Sequence, residues 1–147
     1  MTQVLNQNTV GRVIDARGPR FGATITTVVL AVALVTGSPW VLLAQTVVFA
    51  IGALRGPQFT PYAWIFKTVV KPRLSGATPT EDVRPPQFAQ SVGLLFGLVA
   101  TAAAFSGLTV VATIATGLAL AAAFLNAAFN FCLGCEIYLL LLRARRA

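Results

Sequence analysis

Both cysteines of the chain fall in one short stretch, Asn126-Ala-Ala-Phe-Asn130-Phe-Cys132-Leu-Gly-Cys135-Glu136. Two thiols at this spacing are the minimal unit of dithiol–disulfide chemistry, and the same spacing serves in metal sites. In an unbroken helix, positions i and i+3 share a face with Cβ atoms roughly 5–6 Å apart. An unstrained disulfide is closer than that, so forming one calls for a local departure from the helix. Glu136, four residues after Cys132, lies on the same face and is placed to assist proton transfer. Asn126 and Asn130 form an i, i+4 amide pair just upstream, and Asn130 is suited to cap a helix or orient the thiols. The candidate reactive set is Cys132 as attacking thiol, Cys135 as resolving thiol, Glu136 and Asn130.

The same residues also admit a purely structural account. Cysteine packs well as a small apolar side chain. Glu136 then marks a helix end, and the asparagines bond between helices. A closed metal site is not expected, because the chain has no histidine and zinc normally takes four ligands. Two-coordinate soft metals remain compatible with a pair of thiolates. No resident cofactor is expected: there is no P-loop, no Gly-rich nucleotide turn, no His-based triad and no pair of carboxylates in an apolar span. With no further cysteine to relay electrons, any thiol exchange needs a separate partner protein or small thiol.

The elements that position this stretch follow from charge. Of 147 residues, 56% are hydrophobic and 10% charged, and the mean hydropathy is +0.79. A soluble domain is nearer a quarter charged, so this surface must suit lipid. All eleven Lys and Arg and all four Asp and Glu fall in three blocks: 12–20, 55–84 and 136–146. The charge-free runs between them, Phe21–Leu54 and Pro85–Cys135, are each too long for one crossing of about 20 residues and suit two. The basic balance, with pI near 10.8, therefore reports membrane topology and not nucleic acid. Residues 1–20 are polar, with no apolar core or cleavage site of a secretory signal.

Thr36-Gly37-Ser38-Pro39 punctuates the first run and Ser106-Gly107 the second. The predicted spans are 21–36, 39–55, 88–105 and a fourth from Leu108. Neither turn carries charge, and Lys and Arg accumulate in cytoplasmic loops. Both termini and the 56–87 loop are accordingly assigned to the cytoplasm. Phe59–Val70, with Tyr62, Trp64 and Phe66 beside Lys67 and Lys71, is expected to lie on the membrane surface. Residues 74–86 are expected to form a mobile polar loop.

Arg17-Gly-Pro-Arg-Phe21 recurs as Arg84-Pro-Pro-Gln-Phe88, each ahead of an apolar hairpin and a basic-ended amphipathic segment. The fold expected is an all-α membrane protein of four transmembrane helices, arranged as two tandem hairpins related by a pseudo-twofold along the membrane normal. It forms a single membrane domain: segment 1–20, first repeat 21–73, loop 74–86, second repeat 87–147. Ala102–Ala104, Gly117 and Ala119–Ala123 are expected to let helices approach closely, within a bundle or a homodimer.

Counted from Leu108, Cys132 lies about 36 Å along an unbroken helix, at or just past the boundary of a core about 30 Å thick. Ile137–Leu142 is still apolar, so the helix is expected to break near Gly134 or the asparagines and continue along the interface. A restart with Asn130 as N-cap would place Cys132 in a first turn, where the helix dipole favours a thiolate.

The segments Asp15-Ala-Arg17-Gly-Pro-Arg20-Phe21 and Asn130-Phe-Cys132-Leu-Gly-Cys135-Glu-Ile-Tyr138 resemble the bacterial integral membrane proteins of domain of unknown function 4395, over nearly the whole chain. The resemblance implies a bacterial plasma membrane and, in actinobacteria, neighbouring genes for thioredoxin-like and sulfurtransferase proteins. It brings no established activity. Three functions follow as expectations. The first is a membrane dithiol exchanging electrons or sulfur with a soluble thioredoxin-like or rhodanese-like partner. The second is a non-enzymatic scaffold subunit of a larger membrane complex, and the third a transporter of a soft metal or small sulfur species.

Overall fold

The computed structural model describes residues 13–74 and 79–146. Strand β1 (Val13–Asp15) leads into helix α1 (Arg17–Thr36), followed by α2 (Pro39–Leu54). A broken helical segment comes next: a 3-10 turn at Pro57–Phe59, α3 (Pro61–Ile65), a π-helical turn at Phe66–Val70 and a second 3-10 turn at Lys71–Arg73. Strand β2 (Thr80–Asp82), α4 (Arg84–Phe105), α5 (Thr109–Phe129) and α6 (Leu133–Arg146) complete the chain. The all-α expectation is met apart from the two short strands.

The turns form where Gly and Pro placed them. Gly37 takes φ 68° and donates its N–H to Ala33 O, ending α1. Ser38 then caps α2 through its hydroxyl, which accepts from Val41 N–H, and Pro39 occupies the first helical position. Gly107, at φ 81°, makes the corresponding turn between α4 and α5.

Three helices are long and apolar enough to cross a membrane: α1, α4 and α5, of 20, 22 and 21 residues. Helix α2 is equally apolar, but its 16 residues reach only about 24 Å. The core, where the four helices meet, contains Leu30, Ala33, Leu42, Phe49, Ala100 and Ala115. Outward-facing Val28, Val35, Leu95, Val110, Ile114 and Leu118 are exposed. Water would not tolerate such an apolar exterior, whereas lipid would.

Helix α2 packs most closely on α4, and α1 on α5, so the two halves interlock. The close approach of α2 and α4 rests on Gly52, Gly93 and Gly97, where an added Cβ would meet Gln90, Phe49 and Thr46 within 2.8 Å. The Thr46 and Thr101 hydroxyls bond across this seam at 3.0 Å, while Thr46 Oγ1 also donates to Leu42 O. Of the expected small-residue contacts, Ala103 is buried and Ala104 and Ala119 pack against the core, whereas Ala122 and Ala123 border a cavity and Gly117 has open space beside it.

Strands β1 and β2 pair antiparallel, with Val13 opposite Asp82 and Asp15 opposite Thr80. Thr80–Asp82 was expected within a polar loop; pairing with β1 instead satisfies its backbone. Residues 75–78 of that loop, and 1–12 of the N-terminal segment, lie outside the described residues. Each strand ends in an Asp that serves the next helix in the same way. Arg17 N–H donates to Asp15 Oδ1 at 3.0 Å, Arg84 N–H to Asp82 Oδ1 at 2.9 Å, and each guanidinium returns to the same carboxylate. Further along, Phe21 meets Phe66 and Phe88 meets Tyr138, with ring centroids 5.7 and 5.4 Å apart. In both halves the leading helix thus holds the trailing amphipathic segment.

Candidate functional site at the start of the last helix

The break in the last apolar run falls at Asn130, which adopts the left-handed conformation at φ 54°. Asn130 N–H donates to Asn126 O at 3.1 Å and Phe131 N–H to Leu125 O at 3.2 Å, closing the end of α5. Asparagine is among the few non-glycine residues that accept this backbone state readily. The expected role for Asn130 as N-cap of a restarted helix is therefore corrected: it is the C-terminal cap of the helix before.

The N-cap is Cys132 itself. Its carbonyl accepts the first helical bond of α6, from Glu136 N–H at 3.0 Å, and its sulfur accepts from Cys135 N–H at 3.2 Å. Sulfur thus takes the place that a Ser or Asp oxygen usually fills at a helix start. Cys132 and Cys135 are joined as a disulfide with Cα atoms 5.1 Å apart, within the usual range for such bonds. The geometry that an unbroken helix denies to this pair is supplied by the break two residues upstream.

Glu136 occupies the first turn of α6 and is exposed. Its connection to the pair is its backbone N–H; as an acid near a helix N-terminus it is favourably placed against the dipole. Asn126 borders a cavity beside the disulfide.

Two further residues, Gly134 and Arg20, hold the site in place. Gly134 lies against α4, where an added Cβ would come within 2.7 Å of both Cα and Cβ of Ala89. Only glycine lets the first turn of α6 sit this close. Arg20 reaches from α1 to the end of α5: its Nε donates to Ala127 O at 3.1 Å and its Nη2 to Ala128 O at 3.5 Å. A cation on the final carbonyls of a helix completes their hydrogen bonding and opposes the dipole.

The cavity, of about 290 Å³, lies between α1, α4, α5 and the first turns of α6, with Cys132 on its wall. A second cavity of about 270 Å³ lies in the first half, bordered by Asp15, Tyr62, Lys67 and Lys71. Asp15 is held below the usual carboxylate range, chiefly by the hydrogen bonds of the Arg17 side chain, and Lys71 Nζ stands 3.7 Å away. Among the described residues, no three His, Cys, Asp or Glu side chains come together as a metal cluster.

A family model for a domain of unknown function, DUF4395, matches residues 14–143, from the Asp15–Arg17 turn through the disulfide into the last turn of α6. The chain belongs to the DUF4395 family. Comparison with curated proteins and with solved structures found no match. The DUF4395 match spans both halves, so β2, helices α1, α2, α4 and α5 and the Cys132–Cys135 turn all lie within the matched region.

Proposed function

We propose that this DUF4395 protein is a four-span protein of the bacterial plasma membrane whose Cys132–Cys135 pair cycles between disulfide and dithiol on the cytoplasmic side. A soluble thioredoxin-like or rhodanese-like protein is the proposed partner. The observation that carries the reading is the position of Cys132 as N-cap of α6, with its sulfur accepting from Cys135 N–H. On reduction, that sulfur faces the unpaired N–H groups and positive dipole end of α6, which favour the thiolate, the reactive form. A cysteine kept only for packing has no need of this place.

The exchange runs in two steps. A partner thiolate attacks Cys132 Sγ, the S–S bond breaks, and its electron pair leaves on Cys135 Sγ, which takes up a proton from water. A second partner thiolate then attacks the mixed disulfide, releasing Cys132 as a thiolate, which can take up a proton from water, and the partner as a disulfide.

The four-span topology is supported by the segregation of Lys and Arg. The β-ribbon brings 13–15 and 80–82 together, and Arg20 touches the end of α5, so the basic blocks share one end of the bundle. Helix α2 falls about 6 Å short of a typical core. Local thinning and snorkelling of Arg55 accommodate such a mismatch.

Titration of the purified protein in detergent against glutathione couples, with alkylation of Cys132 and Cys135 read by mass spectrometry, tests the redox reading. The pair should pass reversibly between disulfide and dithiol, and Cys135→Ser should accumulate a glutathione adduct on Cys132. A pair that stays in one state across the titration, with no adduct in the variant, would leave the cysteines as structural and favour the scaffold role.

A further inference from the structure

We propose that the cavity beside Cys132 binds the ring of a lipid-soluble quinone, which oxidises the reduced Cys132–Cys135 pair. The inference rests on the dithiol reading above and names the co-substrate of that site.

The walls of the cavity decide what it can take. Its polar side chains besides Cys132 are Thr26, Gln90 and Asn126; the remainder are apolar or glycine, and no charged residue borders it. A charged carrier such as a nicotinamide nucleotide or glutathione would lose its hydration there without a counter-charge, at a cost of several kcal/mol or more per charge. A neutral two-electron carrier loses little. At about 290 Å³ the space is at the lower edge of the ~300–1,000 Å³ usual for small-molecule sites. It suits a one- or two-ring head whose tail lies elsewhere. Leu118 borders the cavity and is 55% exposed on the lipid-facing side of α5, which gives an isoprenoid tail a way out into the bilayer.

The length is also suitable. Along α4 the cavity runs from Pro86 and Ala89, where Gly134 touches, to Phe96. Ten residues of helix make this about 15 Å, with Cys132 near one end. Two side-chain amides, Gln90 and Asn126, border the cavity. A carboxamide accepts from the hydroxyl of a hydroquinone and donates to the carbonyl of a quinone, so the same side chain serves both oxidation states.

The reaction closes without another reactant. The S–S bond forms as the pair gives up two electrons, and the two thiol protons go to the two ring oxygens. Dithiol and quinone become disulfide and hydroquinone.

The test uses the full chain, reduced and placed in nanodiscs free of quinone, with a decyl-substituted quinone as probe. Hydroquinone is followed by absorbance and thiols by alkylation. Hydroquinone should appear in a one-to-one ratio with disulfide. Ala123→Phe, which fills the cavity, should abolish this reaction while diamide still oxidises the pair and dithiothreitol still reduces it. Gln90→Leu should raise the quinone concentration for half-maximal rate roughly fivefold, the effect of one lost hydrogen bond; it carries the site test if the Phe variant does not fold. A pair that cycles with diamide and dithiothreitol but ignores quinone would overturn this inference and leave the dithiol reading standing. A pair that cycles with neither would overturn both. Quinone oxidation unaffected by either substitution would overturn the assignment to this cavity.

Discussion

Replacing Gly134 by alanine is the sharpest probe of how α6 is seated. A methyl group there would lie 2.7 Å from both Cα and Cβ of Ala89, where carbon atoms at their optimum are about 3.5–4.0 Å apart. One of the two contacts is backbone, so no rotamer change relieves it. The first turn of α6 must move off α4 by roughly an ångström, at the ~1–3 kcal/mol typical of overpacking. Alanine's helix propensity returns up to about 1 kcal/mol, so the clash wins and the net loss is about 1–2 kcal/mol. Gly117→Ala is the internal control: nothing lies within 4 Å of its added Cβ, so the same change there should be neutral or mildly stabilising. Denaturant unfolding in detergent reads both. Because Cys132 and Cys135 flank Gly134, the displaced turn should also alter the alkylation rate of Cys132 in a Cys135→Ser background. Gly134→Ala as stable as the parent, with unchanged alkylation, would refute the close seating of α6 on α4.

Three further substitutions or titrations check other parts of the account. Asn130→Val places a β-branched residue at φ 54° and should destabilise by at least the ~1–2 kcal/mol of a left-handed residue, whereas Asn130→Gly should be tolerated; thermal unfolding of the two variants separates them. Thr46→Val removes the bond to Thr101 across the α2–α4 seam and should cost about 0.6 kcal/mol, the average for such bonds in membranes, measured by the same unfolding. Asp15 has its carboxyl lowered by Arg17, so its stabilisation of the ribbon is complete above the unfolded value of about 3.9. That contribution is lost as pH falls through the lower folded value. Hydrogen exchange at Arg17 N–H should quicken over that acidic range in the parent and show no such step in Asp15→Asn.

How much of this was legible in the sequence depended on the range of the interactions. The helices and their turns were, because charge-free runs and Gly-Pro punctuation are local signals: the Gly37–Pro39 and Gly107 turns fall where they were read. Helices α1 and α4 begin earlier than expected, at Arg17 and Arg84 rather than near Phe21 and Phe88. In both cases an Asp two residues before the Arg accepts its N–H, and the sequence carries the signal as an Asp-x-Arg repeat at 15–17 and 82–84. The ribbon was not legible, since two three-residue strands far apart in sequence carry no periodicity. Nor was the contact from Arg20 to Ala127, which only the packing of α1 on α5 creates. Around the cysteines, the break was readable from Asn130, while Gly134, also expected there, lies within the first turn of α6; the polarity of the break was not readable. An asparagine suits either end of a helix, and only the left-handed backbone at Asn130 shows that it closes α5 and leaves Cys132 to open α6.

The central claim, a redox-active pair on the cytoplasmic side, is tested most directly by thiol labelling of Cys132 and Cys135 in intact and then permeabilised cells, with and without prior reduction. The account predicts labelling only after permeabilisation, increased by reduction. Labelling of intact cells would invert the topology, and thiols that never label, even after reduction and permeabilisation, would contradict the redox role itself.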